Sequence, residues 1–96
     1  MTPVKSERAL TTKQTILVVD DDPHILEVLE ARLSSADFRV LTASEGPEAI
    51  EILKDQPVDL MISDVKMPGM GGMDLFQEAR SLNPDLPVMF LTAYGT

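Results

Sequence analysis

The chain contains no cysteine, which excludes disulfide bonds and thiolate metal sites as supports of its fold. It also has no apolar run near the ~20 residues that a membrane-spanning helix needs. Residues 1–14 are polar and lack the apolar central region of a signal peptide. These absences favour a cytoplasmic protein that does not use a membrane.

Positive charge is also scarce, since 8 lysines and arginines face 16 aspartates and glutamates and give a formal net charge of −8. Duplex phosphates bind a basic face, so this balance argues against direct nucleic-acid binding by the segment. Part of the negative charge lies in Asp20, Asp21, Asp22 and Asp64. If these carboxylates converge, the cluster requires a cation.

Strand and helix patterns alternate along the 96 residues, a length that suits one small domain. We interpret residues 1–14 as a flexible segment and residues 15–96 as the domain. The apolar patterns predict strands at Thr15–Val19, Phe38–Thr42, Val58–Ser63 and Val88–Leu91, and helices that begin near Pro23, Gly46 and Gly72. The order βαβαβαβ with short links predicts a parallel α/β sheet with right-handed crossovers.

The pattern within each element adds detail. Phe38–Thr42 alternates apolar and polar residues, which is typical of a strand near the sheet edge, whereas Ile16–Val19, Leu60–Ile62 and Val88–Leu91 are continuously apolar. Asp22 before Pro23 fits the N-cap of the first helix. The inward stripes of the second and third helices are predicted from helical spacing as Ala49, Ile50, Leu53, Leu75, Phe76, Ala79 and Leu82.

Carboxylates follow two of the predicted strands at their carboxyl ends. Asp20 and Asp21 end the first strand, Asp64 ends the third, and Thr92 ends the fourth. Ligands of open parallel sheets collect at this edge. Mg²⁺ suits the group, because it binds one or two carboxylates together with waters and phosphate oxygens. A carboxylate beside such an ion can act as a nucleophile in phosphoryl transfer.

Several polar residues have a simpler interpretation when each is taken alone. Asp22 fits a helix cap better than a metal ligand. Thr92 fits a strand-end hydroxyl bonded to backbone, and the Lys66 side chain fits a solvated surface. His24, the one histidine, lies in the first turn of a helix, and we assign it no catalytic role.

Three motifs in order resemble the receiver domain of two-component response regulators: Ile16–Pro23, Ser63–Gly69 and Leu91–Ala93. The resemblance begins at about Thr15, and the ending Leu91–Thr96 is similar to receivers of sigma-54-dependent activators. It implies a flavodoxin-like, doubly wound parallel sheet in the order 2-1-3-4-5. This chain would supply strands 2-1-3-4.

The resemblance also implies a function and a site. Asp64 matches the aspartate that accepts a phosphoryl group from a sensor histidine kinase. Asp20, Asp21 and Asp64 match the carboxylates that bind Mg²⁺, and Lys66 matches the residue whose backbone carbonyl completes the metal site. By this likeness the chain is a phosphoacceptor signalling module rather than an enzyme.

Further positions follow from the same likeness. Thr92 matches the switch hydroxyl that moves toward the phosphoryl group, and Met67, Pro68 and Gly69 match the loop that shapes the pocket. The sequence has no counterpart of the fourth helix, fifth strand and fifth helix, and so none of the family's catalytic lysine. We therefore expect a truncated receiver with an uncovered fourth strand that forms homo-oligomers.

Two alternatives stay open at the level of sequence. A haloacid-dehalogenase-type phosphatase would use Asp20 as its nucleophile and Thr92 downstream, but would leave Asp64 unexplained. The second alternative is an interaction or dimerisation domain that is not phosphorylated. Its acidic cluster would be retained but would take no part in phosphoryl transfer.

Overall fold

The computed structural model of the protein describes residues 13–91. Its elements are the strands β1 (Thr15–Val19), β2 (Arg39–Ala43), β3 (Leu60–Asp64) and β4 (Val88–Leu91), and the helices α1 (Pro23–Ser35), α2 (Gly46–Asp55) and α3 (Gly72–Leu82). The strands form one parallel sheet in the order β2-β1-β3-β4. The α/β fold and the predicted order 2-1-3-4 are confirmed.

Strands β1 and β4 have the predicted bounds, whereas β2 begins one residue later than predicted. The reason is the turn that closes α1, in which the backbone amide of Phe38 donates to the carbonyl of Leu33 at 3.1 Å. Phe38 therefore belongs to the connection that follows α1 rather than to β2. The expected edge position of β2 is confirmed, because only β1 pairs with it in the described part of the chain.

Strand β3 also begins later than predicted and extends one residue further. Asp59 lies in a bend before the strand, where its carboxylate accepts a hydrogen bond of 2.7 Å from the Thr15 amide. At the other end, Asp64 is paired with Leu91 of β4 and is the last residue of β3. The backbone of Asp64 is thus fixed by strand pairing in the sheet.

The larger core lies between one face of the sheet and helices α2 and α3. Leu17, Met61, Leu75 and Ala79 are fully buried there. The inward positions predicted for α2 and α3 are buried or partly buried, with the exception of Leu82. Leu82 is 44% exposed because it is the last residue of α3.

The opposite face of the sheet is covered by α1, which Asp22 caps as predicted by accepting from the His24 amide at 2.9 Å. Leu26, Leu29 and Leu33 pack against the sheet but are only partly buried, and no residue of α1 is fully buried. In residues 13–91, no helix has the length and apolar character needed to cross a membrane.

Gly72 lies close to the backbone at the end of β3. A Cβ at this position would collide with the carbonyl oxygen of Asp64 and lie 3.0 Å from the Cα of Val65. Alanine normally stabilises a helix by about 1 kcal/mol relative to glycine. Here we expect Gly72→Ala to lower the free energy of unfolding by about 1–3 kcal/mol, because backbone atoms have little room to shift.

Urea denaturation of the two proteins measures this difference. Gly71→Ser is the matched control, since a Cβ on Gly71 would lie at an ordinary 3.6 Å from the Val65 carbonyl oxygen. Serine also suits the N-cap position that Gly71 occupies, so this control should match the wild type. A Gly72→Ala variant as stable as the wild type would contradict the close contact.

Candidate metal centre

Three carboxylates meet at the carboxyl edge of β1 and β3. Asp20 and Asp21 follow β1, and Asp64 ends β3 on the neighbouring strand, where Val19 is paired with Ser63. One carboxylate oxygen from each aspartate lies within 4.8 Å of the others. The structure therefore brings together three of the four aspartates singled out in the sequence.

Asp20 is the buried member of the group, with 5% of its surface exposed. Its backbone amide donates to the Ala43 carbonyl at 3.1 Å, which joins it to the end of β2. Its Oδ1 accepts a hydrogen bond of 2.9 Å from the Asp22 amide. Asp21 is exposed, and the Asp22 carboxylate is used as the cap of α1.

The surroundings of Asp20 shift the pKa of its carboxyl group. Burial raises the pKa of its carboxyl group, the negative charges of Asp64, Asp21 and Asp22 raise it further, and the hydrogen bond from the Asp22 amide lowers it in part. Ionisation of Asp20 is therefore less favourable than that of an ordinary aspartate. A cation at this edge would remove that penalty.

The donor set is one that fits Mg²⁺. Carboxylate oxygens are its preferred ligands, and bonds of about 2.1 Å place two opposite ligands about 4.2 Å apart. Asp20, Asp21 and Asp64 offer oxygens within 4.8 Å of one another, so small side-chain movements would bring all three to such an ion.

Asp64 is the more accessible partner of Asp20 across the sheet. It is partly buried, and its Oδ1 lies 3.4 Å from the backbone nitrogen of Lys66, which donates to it. The preceding Ser63 is fully buried and donates from Oγ to the Asp64 carbonyl at 3.0 Å. The Lys66 side chain is exposed and makes no ion pair within the described residues.

The loop after Asp64 combines buried and exposed residues. Met67 is buried in the larger core, whereas Pro68 and Gly69 are exposed, and Gly69 has a φ of +79°, which favours glycine. These three residues line an open groove beside Asp74 at the start of α3. Asp64 does not line that groove, so the groove is not part of the carboxylate cluster.

Two expectations fall on residues outside the described part of the chain. Thr92, the expected switch hydroxyl, follows directly on Leu91, which is paired with Asp64. The interpretation of residues 1–14 as a flexible segment falls outside as well, apart from its last two residues. Both interpretations stay predictions.

Sequence reasoning missed the glycine contact at the start of α3. The pair Gly71-Gly72 signals a break before a helix, but the sequence does not show that Gly72 touches the Asp64 carbonyl. That contact joins residues on two different elements and depends on how α3 packs against the sheet.

The family model of the response regulator receiver domain matches residues 16–96. The chain belongs to this receiver family. The transcriptional regulatory protein GlrR of Escherichia coli K12 is 46% identical over 81 residues, which cover 84% of this chain and 18% of GlrR. The transcriptional regulatory protein TcrX of Mycobacterium tuberculosis is 40% identical over 79 residues, which cover 82% of this chain and 34% of TcrX. The receiver thus spans about a third of TcrX and under a fifth of GlrR.

Solved receiver structures agree with the fold. The chemotaxis protein CheY4 of Vibrio cholerae superposes with a TM-score of 0.84 at 31% identity, over 88% of this chain and 72% of CheY4. The response regulator TrrA of Thermotoga maritima, in complex with Mg²⁺-BeF, has a TM-score of 0.80 at 38% identity over 85% of this chain and 71% of TrrA. The receiver fold indicated by the sequence motifs is confirmed.

Asp20→Asn tests the electrostatic cost of the buried carboxylate in this receiver. The pKa of Asp20 is raised above its ordinary 3.8 in the folded state, so the folded chain binds the proton more tightly than the unfolded chain. The stabilisation that the Asp20 carboxyl group contributes to the folded state is therefore fully present below pH 3.8. It is lost as the pH rises through the raised pKa. In metal-free buffer we expect Asp20→Asn to exceed the wild type in stability at neutral pH.

Urea denaturation across the acidic and neutral range measures the free energies of unfolding. The advantage of Asp20→Asn should shrink as the pH falls toward 3.8 and the wild-type carboxyl becomes protonated. Asp85→Asn, an exposed substitution in the turn before β4, is the control for the loss of a carboxylate outside the cluster. A pH-independent advantage for Asp20→Asn would contradict the raised pKa.

Proposed function

We propose that this receiver accepts a phosphoryl group on Asp64, with Mg²⁺ held by Asp20, Asp21, Asp64 and the backbone carbonyl of Lys66. The observation that carries the proposal is the convergence of three carboxylate oxygens within 4.8 Å at the carboxyl edge of the sheet. The Mg²⁺-BeF complex of the similar receiver TrrA supports the choice of ion. When bound, Mg²⁺ neutralises charge on the phosphoryl oxygens.

Asp64 is a better nucleophile in this geometry than Asp20. The Asp20 side chain is 5% exposed, and one of its oxygens accepts a hydrogen bond from the Asp22 amide. Asp64 is more exposed and lies at the end of a central strand, where a phosphoryl donor can approach it. These differences favour the receiver over a phosphatase that would use Asp20.

The proposed donor is a phosphohistidine on a sensor histidine kinase. A carboxylate oxygen of Asp64 attacks the phosphorus, and the new P–O bond forms as the P–N bond to the imidazole breaks. The electron pair of that bond returns to the imidazole nitrogen, and the product on this chain is an acyl phosphate. The chain acts as an acceptor rather than as a classical enzyme.

The wider role follows from the named relatives. GlrR is a transcriptional regulatory protein, so we propose that this receiver controls a transcriptional output of the sigma-54-dependent kind indicated by its sequence. We also propose a cytoplasmic location, where the kinase obtains its phosphoryl group from ATP. Thr92 is proposed to move toward the phosphorylated Asp64 and so change the contacts of the receiver with its partners.

We propose in addition that copies of this chain associate through the α1 side of β4. Met89 of β4 is 54% exposed and is paired with Ile62, which belongs to the smaller core on that side of the sheet. Among the described residues, β4 pairs only with β3. A partly covered apolar strand favours pairing with a second copy.

Met89→Glu should therefore shift the chain toward the monomer, because it places a charge in the proposed contact. Size-exclusion chromatography with light scattering over a concentration series measures the shift. Met73→Glu is the matched control, since Met73 is equally exposed, at 53%, but lies on α3. A folded wild-type monomer at high concentration would contradict the association.

Asp64→Asn tests the phosphoacceptor directly. The chain is incubated with Mg²⁺ and acetyl phosphate, the acyl phosphate is trapped, and the modified residue is located by mass spectrometry. We expect label on Asp64 of the wild type, and a loss of label to background in Asp64→Asn because the amide is not a nucleophile. Chelation of Mg²⁺ should have the same effect.

Asp22→Asn is the neighbouring control, because asparagine caps a helix as well as aspartate does. It should keep the label on Asp64. Label on Asp20 would favour the phosphatase, and no label at all would favour an interaction domain that is not phosphorylated. Label that survives in Asp64→Asn would refute the assignment.

A further inference from the structure

The Met70 side chain lies directly over Gly46, the first residue of α2. A Cβ on Gly46 would lie 2.5 Å from the Met70 Sδ, 2.8 Å from its Cγ and 2.9 Å from its Cβ. Contacts below 3.0 Å are essentially never seen for real Cβ atoms. Gly46 is itself buried, and Met70 packs against the larger core. The Met70 Sδ and Cγ can turn aside, but its Cβ is fixed to the loop backbone, so a Cβ on Gly46 would require the loop to shift.

Gly46 and Met70 are each connected to the carboxylates through neighbouring residues. Gly46 lies three residues after Ala43, whose carbonyl accepts from the Asp20 amide at 3.1 Å. The link between them is held by Glu48, whose Oε1 accepts from the Ser44 amide at 2.8 Å and from the Ser44 Oγ at 3.2 Å. The amino end of α2 is thus fixed relative to Asp20.

On the other side, Met70 belongs to the loop that joins Asp64 to α3. The Gly72 amide donates to the Val65 carbonyl at 3.0 Å and closes this loop at its base. The loop contains Gly69 at a φ of +79°, so it has more conformations to lose on ordering than a loop of ordinary residues. Within it, Met67 and Met70 are the two side chains that pack against the larger core.

We infer that Met70 and Gly46 form a positioning pair that holds the Asp64–α3 loop against α2 and so sets the loop backbone opposite Asp20 and Asp21. Neither residue touches a reacting atom. The inference rests on the proposed function, because the backbone being positioned includes the Lys66 carbonyl proposed for the metal site. The pair governs the affinity for Mg²⁺, whereas the identity of the phosphoacceptor does not depend on it.

A double-mutant cycle tests the pair. Gly46→Ala places a Cβ against Met70 and displaces the loop, and we expect the affinity for Mg²⁺ to fall about tenfold, as is typical for residues that orient metal ligands. Met70→Gly removes the opposing side chain and its Cβ, and should lower the affinity as well. In the Met70→Gly background, adding Gly46→Ala should change the affinity less than about twofold, because the obstacle is gone.

Mg²⁺ titrations followed by amide NMR signals of the folded chain give the four affinities. Gly71→Ser, in the same loop but with an ordinary 3.6 Å contact for its Cβ, is the control and should bind Mg²⁺ like the wild type. An equal loss from Gly46→Ala in both backgrounds would overturn the inference. So would an unchanged affinity in the wild-type background.

Hydrogen exchange of the loop amides without metal separates this inference from the proposed function. Gly46→Ala should speed exchange at Gly72, whose amide donates to the Val65 carbonyl, in the wild-type background and not in the Met70→Gly background. Failure of Mg²⁺ to bind the wild type would refute the proposed metal site. Hydrogen exchange of the loop amides would still show whether Met70 and Gly46 hold the loop. A loop that loosens while the Mg²⁺ affinity stays unchanged would show a purely structural contact and overturn the positioning role.

Discussion

Repulsion among like charges at the ends of two neighbouring strands is the constraint on which the site depends. The pairing of Val19 with Ser63 places Asp20 and Asp64 at one edge of the sheet, and burial raises the pKa of Asp20. Such a site costs stability in the absence of a cation. The fold withstands this cost because the strands leading to it are among its best-packed parts, with Leu17 and Met61 fully buried.

The two faces of the sheet differ in how fully they are covered. Helices α2 and α3 enclose the larger core on one face, and the loop after Asp64 is anchored in that core through Met67. On the other face α1 contributes no fully buried residue, and Met89 of β4 is largely exposed. The three carboxylates thus lie beside a well-packed face, while the other face of the sheet is less fully covered.

Glycine makes close approaches possible around the site. The absence of a Cβ at Gly72 lets α3 reach the Asp64 carbonyl, and its absence at Gly46 lets Met70 sit on the start of α2. In both places a hydrogen atom replaces a side chain so that two elements meet at close range. The position of the Asp64–α3 loop is therefore set by packing in addition to hydrogen bonds.

The sequence alone determined the alternation of strands and helices, the cap at Asp22 and the three aspartates, because apolar periodicity and turn residues are local signals. It misplaced the start of β2, because Phe38 forms a hydrogen bond to the turn that ends α1. Only the tertiary structure decided that Asp20 is buried while Asp64 remains accessible, and that a Cβ on Gly46 or Gly72 would force a neighbour to shift. These properties arise where separate elements meet, and no local pattern encodes the distance between them.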